Sequence, residues 1–187
     1  MRGSTSNARQ HGIALFISLV ILMLLTIAGV AAVQTTQLQA RVARNAHDNL
    51  VALQAAEQAL GEGERFLMAS KPDAARYTSA GTDGLWRPAD FGQDPVWQAE
   101  AVWADGGSGS RRAGPVSGAI AAPRYLIEWL TTLTGPDNPH LLEQSTVASV
   151  PRTAIFRVTA RGFGATRYSR AQLQSTFAVR LPPENSP

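Results

Sequence analysis

The chain of 187 residues has no cysteine, which excludes disulfides, thiolate zinc sites and a cysteine nucleophile. Histidine is nearly absent as well. His11, His47 and His140 are the three present, and no two of them stand at metal-ligand spacing. No Gly-x-Ser-x-Gly elbow occurs, so a serine hydrolase would lack its nucleophile turn; the chain reads as a non-enzyme with neither cofactor nor metal. Asp83, Asp90 and Asp94 share a loop-like stretch, but not at the spacing of a calcium loop, and acids in a turn-rich segment are ordinarily solvated.

Acid is missing from the first quarter of the chain. Residues 1–47 carry Arg2, Arg9, Arg41 and Arg44 and no Asp or Glu, while the remainder carries 13 basic against 14 acidic side chains, so the net charge of +3 is local to the N-terminal end. From Gly12 to Ala40 there is no formal charge at all, and Ile13 to Val33 is apolar but for Ser18, Thr26 and Gly29. Since about 20 apolar residues cross a bilayer, the run is long enough to do so. A secretory signal has a shorter apolar region of about 7–15 residues, although Ala28 to Ala32 imitates a cleavage region. A core helix without a polar face is out of place in so small a domain. The expectation is a retained membrane helix. Arginines on both sides of it leave its orientation open.

Beyond Val33 the chain becomes amphipathic. Leu38, Val42, Ala46, Leu50, Leu53, Ala56, Leu60 and Leu67 recur at spacings of three, four or seven, opposite Gln37, Arg41, Arg44, Asp48, Gln54, Gln58 and Glu62. The helix is expected to continue to Ser70-Lys71, where Pro72 stops it. Residues 72–122 are rich in Gly, Pro, Asp and Ser, with Trp86, Phe91, Trp97 and Trp103 as isolated apolar anchors. These tryptophans suit either a partner interface or the pinning of a long loop to its own sheet.

Two segments then alternate. Phe156, Val158 and Ala160 interleave with Arg157, Thr159 and Arg161, and Ala171 to Val179 interleave with Gln172, Gln174, Thr176 and Arg180. Tyr125 to Leu130 adds a third strand, and Gly162 and Gly164 are placed in a hairpin loop. Arg152, Arg157, Arg161, Arg167, Arg170 and Arg180 form an acid-free stretch that reads foremost as a solvated sheet face. An acidic partner subunit is the sharper option, and the scarcity of interleaved aromatics argues against nucleic acid. Packing the helix stripe on one face of the sheet buries both. The expected fold is α+β: a long N-terminal helix, half membrane and half amphipathic, on a small antiparallel sheet at 123–181.

The leader ending in His11-Gly12, the run Ile13-Ala14-Leu15-Phe16-Ile17-Ser18-Leu19-Val20, and a helix that leaves the membrane to carry a sheet resemble type IV prepilins. Gln54-Ala55-Ala56-Glu57, Pro123 to Glu128, Phe156 to Gly162 and Leu173-Gln174-Ser175-Thr176-Phe177 are similar to the PilX family of minor pilins. The similarity covers both ends, roughly half of the chain, and leaves 72–122 unmatched. It implies a type IV pilin-like fold and a leader, residues 1–12, removed by a prepilin peptidase between Gly12 and Ile13, with N-methylation of Ile13. It implies a single pass through the bacterial inner membrane, a helix over 13–71 and a periplasmic head over 72–187. It also implies a minor-pilin tip complex that primes the pilus and supports twitching motility and adhesion. The partners it implies are other minor pilins, of the PilV, PilW, PilE and FimU types, and a PilY-type tip protein. The alternative is a tip pseudopilin of a type II secretion system.

One position departs from the family pattern. Most pilins carry Glu at the fifth mature residue, paired with the terminal amine of a neighbouring subunit; here that residue is Ile17. A lone carboxylate in an apolar medium is expensive, so a subunit with no predecessor to supply the amine is better served by an apolar side chain. Ile17 therefore fits the first-assembled end of a fibre, or else drift at a tolerant position. Ala28, Gly29, Ala31 and Ala32 allow close helix approach, or are ordinary residues of an apolar helix.

Overall fold

A computed structural model describes residues 10–70, 72–135 and 152–182. The chain divides into two compact units, Met1–Ala46 and His47–Pro187. One helix, α1, runs Gln10–Ala69 over 60 residues. No proline interrupts this stretch, and the helix stops as expected just short of Pro72, with the Ser70 hydroxyl and amide both bonded to the Phe66 carbonyl.

The head contains a five-stranded sheet: β1 (Leu85–Trp86), β2 (Arg111–Arg112), β3 (Arg124–Thr134), β4 (Arg152–Phe163) and β5 (Arg170–Leu181). The order is β1-β3-β4-β5, with β2 on the same edge of β3 as β1. The three long strands are antiparallel, but β1 pairs with β3 in parallel, so the sheet is mixed rather than purely antiparallel. The short strands have no periodicity of their own; β3 recruits them because its outer backbone groups need partners. A register shift between Trp129 and Thr131 makes Leu130 the extra residue of a bulge.

Residues 47–69 of α1 cover one sheet face. Ala59 and Leu67 join Tyr125, Ile127, Phe156, Val158 and Ala160 in the main core. The buried side of this helical stretch is Val51, Ala52, Ala55, Ala56, Ala59 and Leu67, whereas Leu50 is 63% and Leu53 37% exposed. Of the expected stripe, Ala56, Leu60 and Leu67 do face the core, while Leu50 and Leu53 give way to Val51, Ala52, Ala55 and Ala59. The reason is distance: strand and helix backbones come so close that only small residues fit between them. A Cβ on Gly162 would lie 2.2 Å from the Ala52 carbonyl oxygen and 2.3 Å from the Ala56 nitrogen. Gly162 is accordingly not a loop residue; it sits within β4, paired with Ala171.

Residues 72–122 reach both faces: Tyr77, Leu85 and Ala113 join the main core, and the stretch around Val96 to Trp103 covers the other face. Val102 and Trp103 bury Leu126 with help from Trp86, Val96 and Trp97. β3 is therefore buried on both sides from Arg124 to Glu128. Packing of Trp103, Trp86 and Trp97 around Leu126 holds the segment on its own sheet, and two ring N–H groups bond within the segment: Trp86 Nε1 donates to the Gly109 carbonyl at 2.6 Å and Trp103 Nε1 to the Trp97 carbonyl at 2.9 Å.

Candidate functional site

The N-terminal unit is chemically plain. Gly12 and Ile13 lie in α1, and from Ile13 to Gln39 every side chain is exposed, Ile13 at 63% and Ile17 at 51%. Ala28, Gly29 and Ala32 are exposed too, and a Cβ added at Gly29 would meet nothing within 4 Å. The hydroxyls that interrupt the apolar run satisfy themselves: Ser18 donates to the Leu15 carbonyl and Thr26 to the Met23 carbonyl, both at 2.8 Å. Such back-bonding hides a polar group from a medium that offers no partner. By length and composition this helix is able to cross a membrane.

The head holds its charges internally. Arg157 makes two 2.7 Å hydrogen bonds to the fully buried Glu128 carboxylate, and this contact pushes the guanidinium further into its charged form. Arg161 and Arg170 both reach Glu100, at 2.8 and 3.1 Å, and Arg161 also lies 4.5 Å over the Trp103 ring. The Arg161 hydrogen bond holds the Glu100 carboxyl below its ordinary range. Arg124 reaches Asp105 at 3.0 Å. Arg152 and Arg180 are engaged as well. Three of the six arginines expected as a solvated face, Arg157, Arg161 and Arg170, are therefore ion-paired within the head, to Glu128 of β3 and to Glu100, while Arg167 and Arg180 are exposed.

Asp48, placed on the polar helix face by periodicity alone, holds down the β4–β5 turn. Its carboxylate accepts from the Ala165 and Thr166 amides and the Thr166 hydroxyl. The Thr166 hydroxyl is the main reason its pKa lies below the usual carboxylate range. A folded-state pKa depressed below the unfolded value, about 3.9, gives stability present above that value and lost as pH falls through the folded one. Asp48→Asn is expected to lower the melting temperature at pH 7, with the gap to wild type shrinking as the pH falls below about 3.9, read by tryptophan fluorescence. An equal gap above and below that pH would refute the clamp.

Among the described residues no group of three His, Asp or Glu side chains is arranged to hold a metal. Asp83 pairs with Arg111. His140 lies outside the described residues, and His47 is exposed on α1. A recess of about 300 Å³ lined by Ala74, Tyr77, Arg87, Pro88, Trp129 and Leu130 contains no nucleophile beside a base. Burial pushes the Tyr77 hydroxyl up to about 12, which keeps it neutral.

Two family profiles meet this architecture. The PilX N-terminal profile matches residues 11–60, and the profile described as type IV pilus assembly protein PilX C-term matches residues 69–179. The chain belongs to the PilX family. The match runs through 72–122, so the segment that looked foreign to the family by its residues lies within the PilX C-terminal region. PilX proteins are minor pilins, structural components of the type IV pilus rather than a known enzyme family, and their assembly role implies contact with other pilus components. No curated protein and no solved structure matches significantly.

Asp48, Glu128 and Gly162 were not singled out from sequence. A signal existed for Gly162, since a glycine inside an alternating apolar pattern marks a close backbone approach.

Proposed function

We propose that this PilX-family minor pilin is cut after Gly12 by a prepilin peptidase at the cytoplasmic face of the bacterial inner membrane. Residues 13–33 then serve as its membrane and polymerisation segment, and residues 72–187 form a periplasmic head. It joins minor pilins of the PilV, PilW, PilE and FimU types and a PilY-type tip protein in a complex that primes the pilus, and so supports twitching motility and adhesion. The observation that carries this reading is the charge-free stretch from Gly12 to Ala40 with Ile17 at its fifth residue after the cut.

Cleavage leaves the Ile13 amine as the one charge at the head of an apolar helix, able to receive the Glu of a following subunit. Ile17 offers no carboxylate that an absent predecessor would leave unpaired. Small residues Ala28, Gly29 and Ala32 serve close packing of this helix against neighbours.

Mass spectrometry of the protein from membranes is expected to find a chain beginning at Ile13 and carrying one added methyl group. A chain beginning upstream of Ile13 would defeat the pilin-processing reading. Ile17→Glu is expected to reduce incorporation with the other minor pilins several-fold in co-purification. Unaltered incorporation would sink the tip assignment while leaving the cleavage result untouched.

A further inference from the structure

One aromatic of the 72–122 segment takes no part in the core. Trp86, Trp97 and Trp103 pack around Leu126, but Phe91 is fully exposed. It stands at the tip of a tight turn: the Gln93 amide donates to the Asp90 carbonyl at 3.0 Å, and Gly92 takes φ 86°, as the third residue of a type II turn requires. Pro88 and Pro95 bracket the turn and fix φ at both ends. Asp90 and Asp94 flank Phe91. Both are exposed, and among the described residues neither carboxylate has a hydrogen-bond or ion-pair partner.

Beside this knob lies a matching hollow. The recess of about 300 Å³ begins at Pro88, the near end of the loop, and its other walls are Ala74, Tyr77, Arg87, Trp129 and Leu130. A cavity of about 150 Å³ already holds benzene, so a phenyl ring fits. The Tyr77 and Trp129 rings stand edge to face at 5.3 Å, and Trp129 meets Phe156 in the same way at 4.9 Å. An incoming ring therefore extends an aromatic cluster. The charge is opposite to that of the knob. Arg87 Nε donates to the Tyr77 carbonyl at 2.9 Å, which fixes the guanidinium at the recess, and among the described residues no acid pairs with it. A second exposed arginine, Arg76, immediately precedes Tyr77.

We propose that two copies of this chain dock through their heads, each inserting Phe91 into the recess between Tyr77 and Trp129 of the other and setting Asp90 and Asp94 against Arg87 and Arg76. The occupant is a second copy because the chain itself supplies both halves: a ring for an aromatic recess, and two acids for two arginines. Knob and recess share Pro88, so they adjoin on one surface, and a two-fold axis beside them makes both contacts at once. Phe91 does not fill its own recess, since the closed turn holds its ring in solvent. That same rigidity favours docking, because a loop already in its bound shape loses little freedom on binding. The contact is small, so the pair is weak and depends on concentration. It depends neither on cleavage after Gly12 nor on any partner named above.

The test uses the full chain in detergent, with sedimentation equilibrium reading the dissociation constant of the pair. Phe91→Ala, at a fully exposed position, is expected to keep the wild-type melting temperature and to weaken the pair about tenfold or more, as loss of a buried aromatic anchor does. Exchanging charges is the sharper test. Asp90→Arg with Asp94→Arg makes knob and recess both positive, and Arg76→Glu with Arg87→Glu makes both negative. Each double variant is expected to be monomeric alone, and their equimolar mixture to form dimers of wild-type strength, since both contacts are again opposite in sign. Phe91→p-benzoylphenylalanine is expected to photo-crosslink to Tyr77 or Trp129 of another copy, which mixing isotope-labelled and unlabelled chains tells apart from its own. A chain monomeric up to about 1 mM would overturn the proposal. So would a dimer that none of these variants weakens, which would place association in the apolar helix, or a mixture of folded double variants that stays monomeric. Crosslinks confined to the chain's own recess, or formed in cells only with a different protein, would overturn it as well.

Discussion

Gly162→Ala is expected to destabilise the head by about 3 kcal/mol, at the upper end of overpacking costs, and to lower its melting temperature by about 10 °C. The added methyl would meet the Ala52 carbonyl at 2.2 Å, the Ala56 amide nitrogen at 2.3 Å and the Ala55 carbonyl carbon at 2.8 Å. All three are backbone atoms of α1, so no side-chain rotation relieves the clash; the helix must shift off the sheet. Shifting it also unseats the second close approach, at Gly63, whose own Cβ position lies 2.6 Å from Val158 Cγ1. Gly61→Ala is the matched control. It lies in the same helix with nothing within 4 Å of its Cβ position, and replacing a mid-helix glycine gains up to about 1 kcal/mol of helix propensity. Trp86, Trp97, Trp103 and Trp129 all belong to the head, so fluorescence of the full chain in detergent reads head unfolding directly. A Gly162→Ala protein melting with wild type would show that helix and strand are held less closely than these distances require.

That contact also marks how far the sequence carried. The helix was legible because charge is absent over a long stretch and the following polar residues keep a helical period, both local properties. The long strands were legible for the same reason, through the alternation around Phe156 and along Ala171 to Val179. The buried helical face was legible only in part, at Ala56, Leu60 and Leu67, because its remaining members depend on the partner. Leucines mark a stripe by composition, but β4 approaches the helix at Ala52, Ala55 and Ala56, where small size is what packing demands. The 72–122 segment hid its role for a related reason. Leu85-Trp86 and Arg111-Arg112 become strands only beside β3, and its acids Glu100 and Asp105 make sense only once Arg161 and Arg124 are known to lie under them. The proposal for Gly12, Ile13 and Ile17 was readable from sequence, since it rests on position along the chain. The recess at Tyr77, Arg87 and Trp129 was not, since only the fold brings these residues together.

The other large effect is expected at the buried ion pair. Arg157→Leu strands the Glu128 carboxylate, which is fully buried beside the parallel β1 strand at Trp86, and breaking a buried pair from one side costs about 3–5 kcal/mol. Because the Arg157 side chain is 28% exposed, water reaches the guanidinium end of the site, and a loss of about 3 kcal/mol is expected. The double variant Glu128→Leu with Arg157→Leu should recover most of that loss, since two apolar side chains owe no desolvation. The pair faces itself across β3 and β4 in direct register, next to the residue before the Leu130 bulge. What it contributes beyond stability is therefore alignment: the two forked bonds are satisfied in one register only, and a slip would bury a charge without a partner. The same register carries through β4 to β5, so the double variant, though stable, should show faster hydrogen exchange along 152–163 and 170–181. Equal exchange in the double variant and wild type would leave the pair with no role in register; a single variant as stable as wild type would show that Glu128 finds another partner.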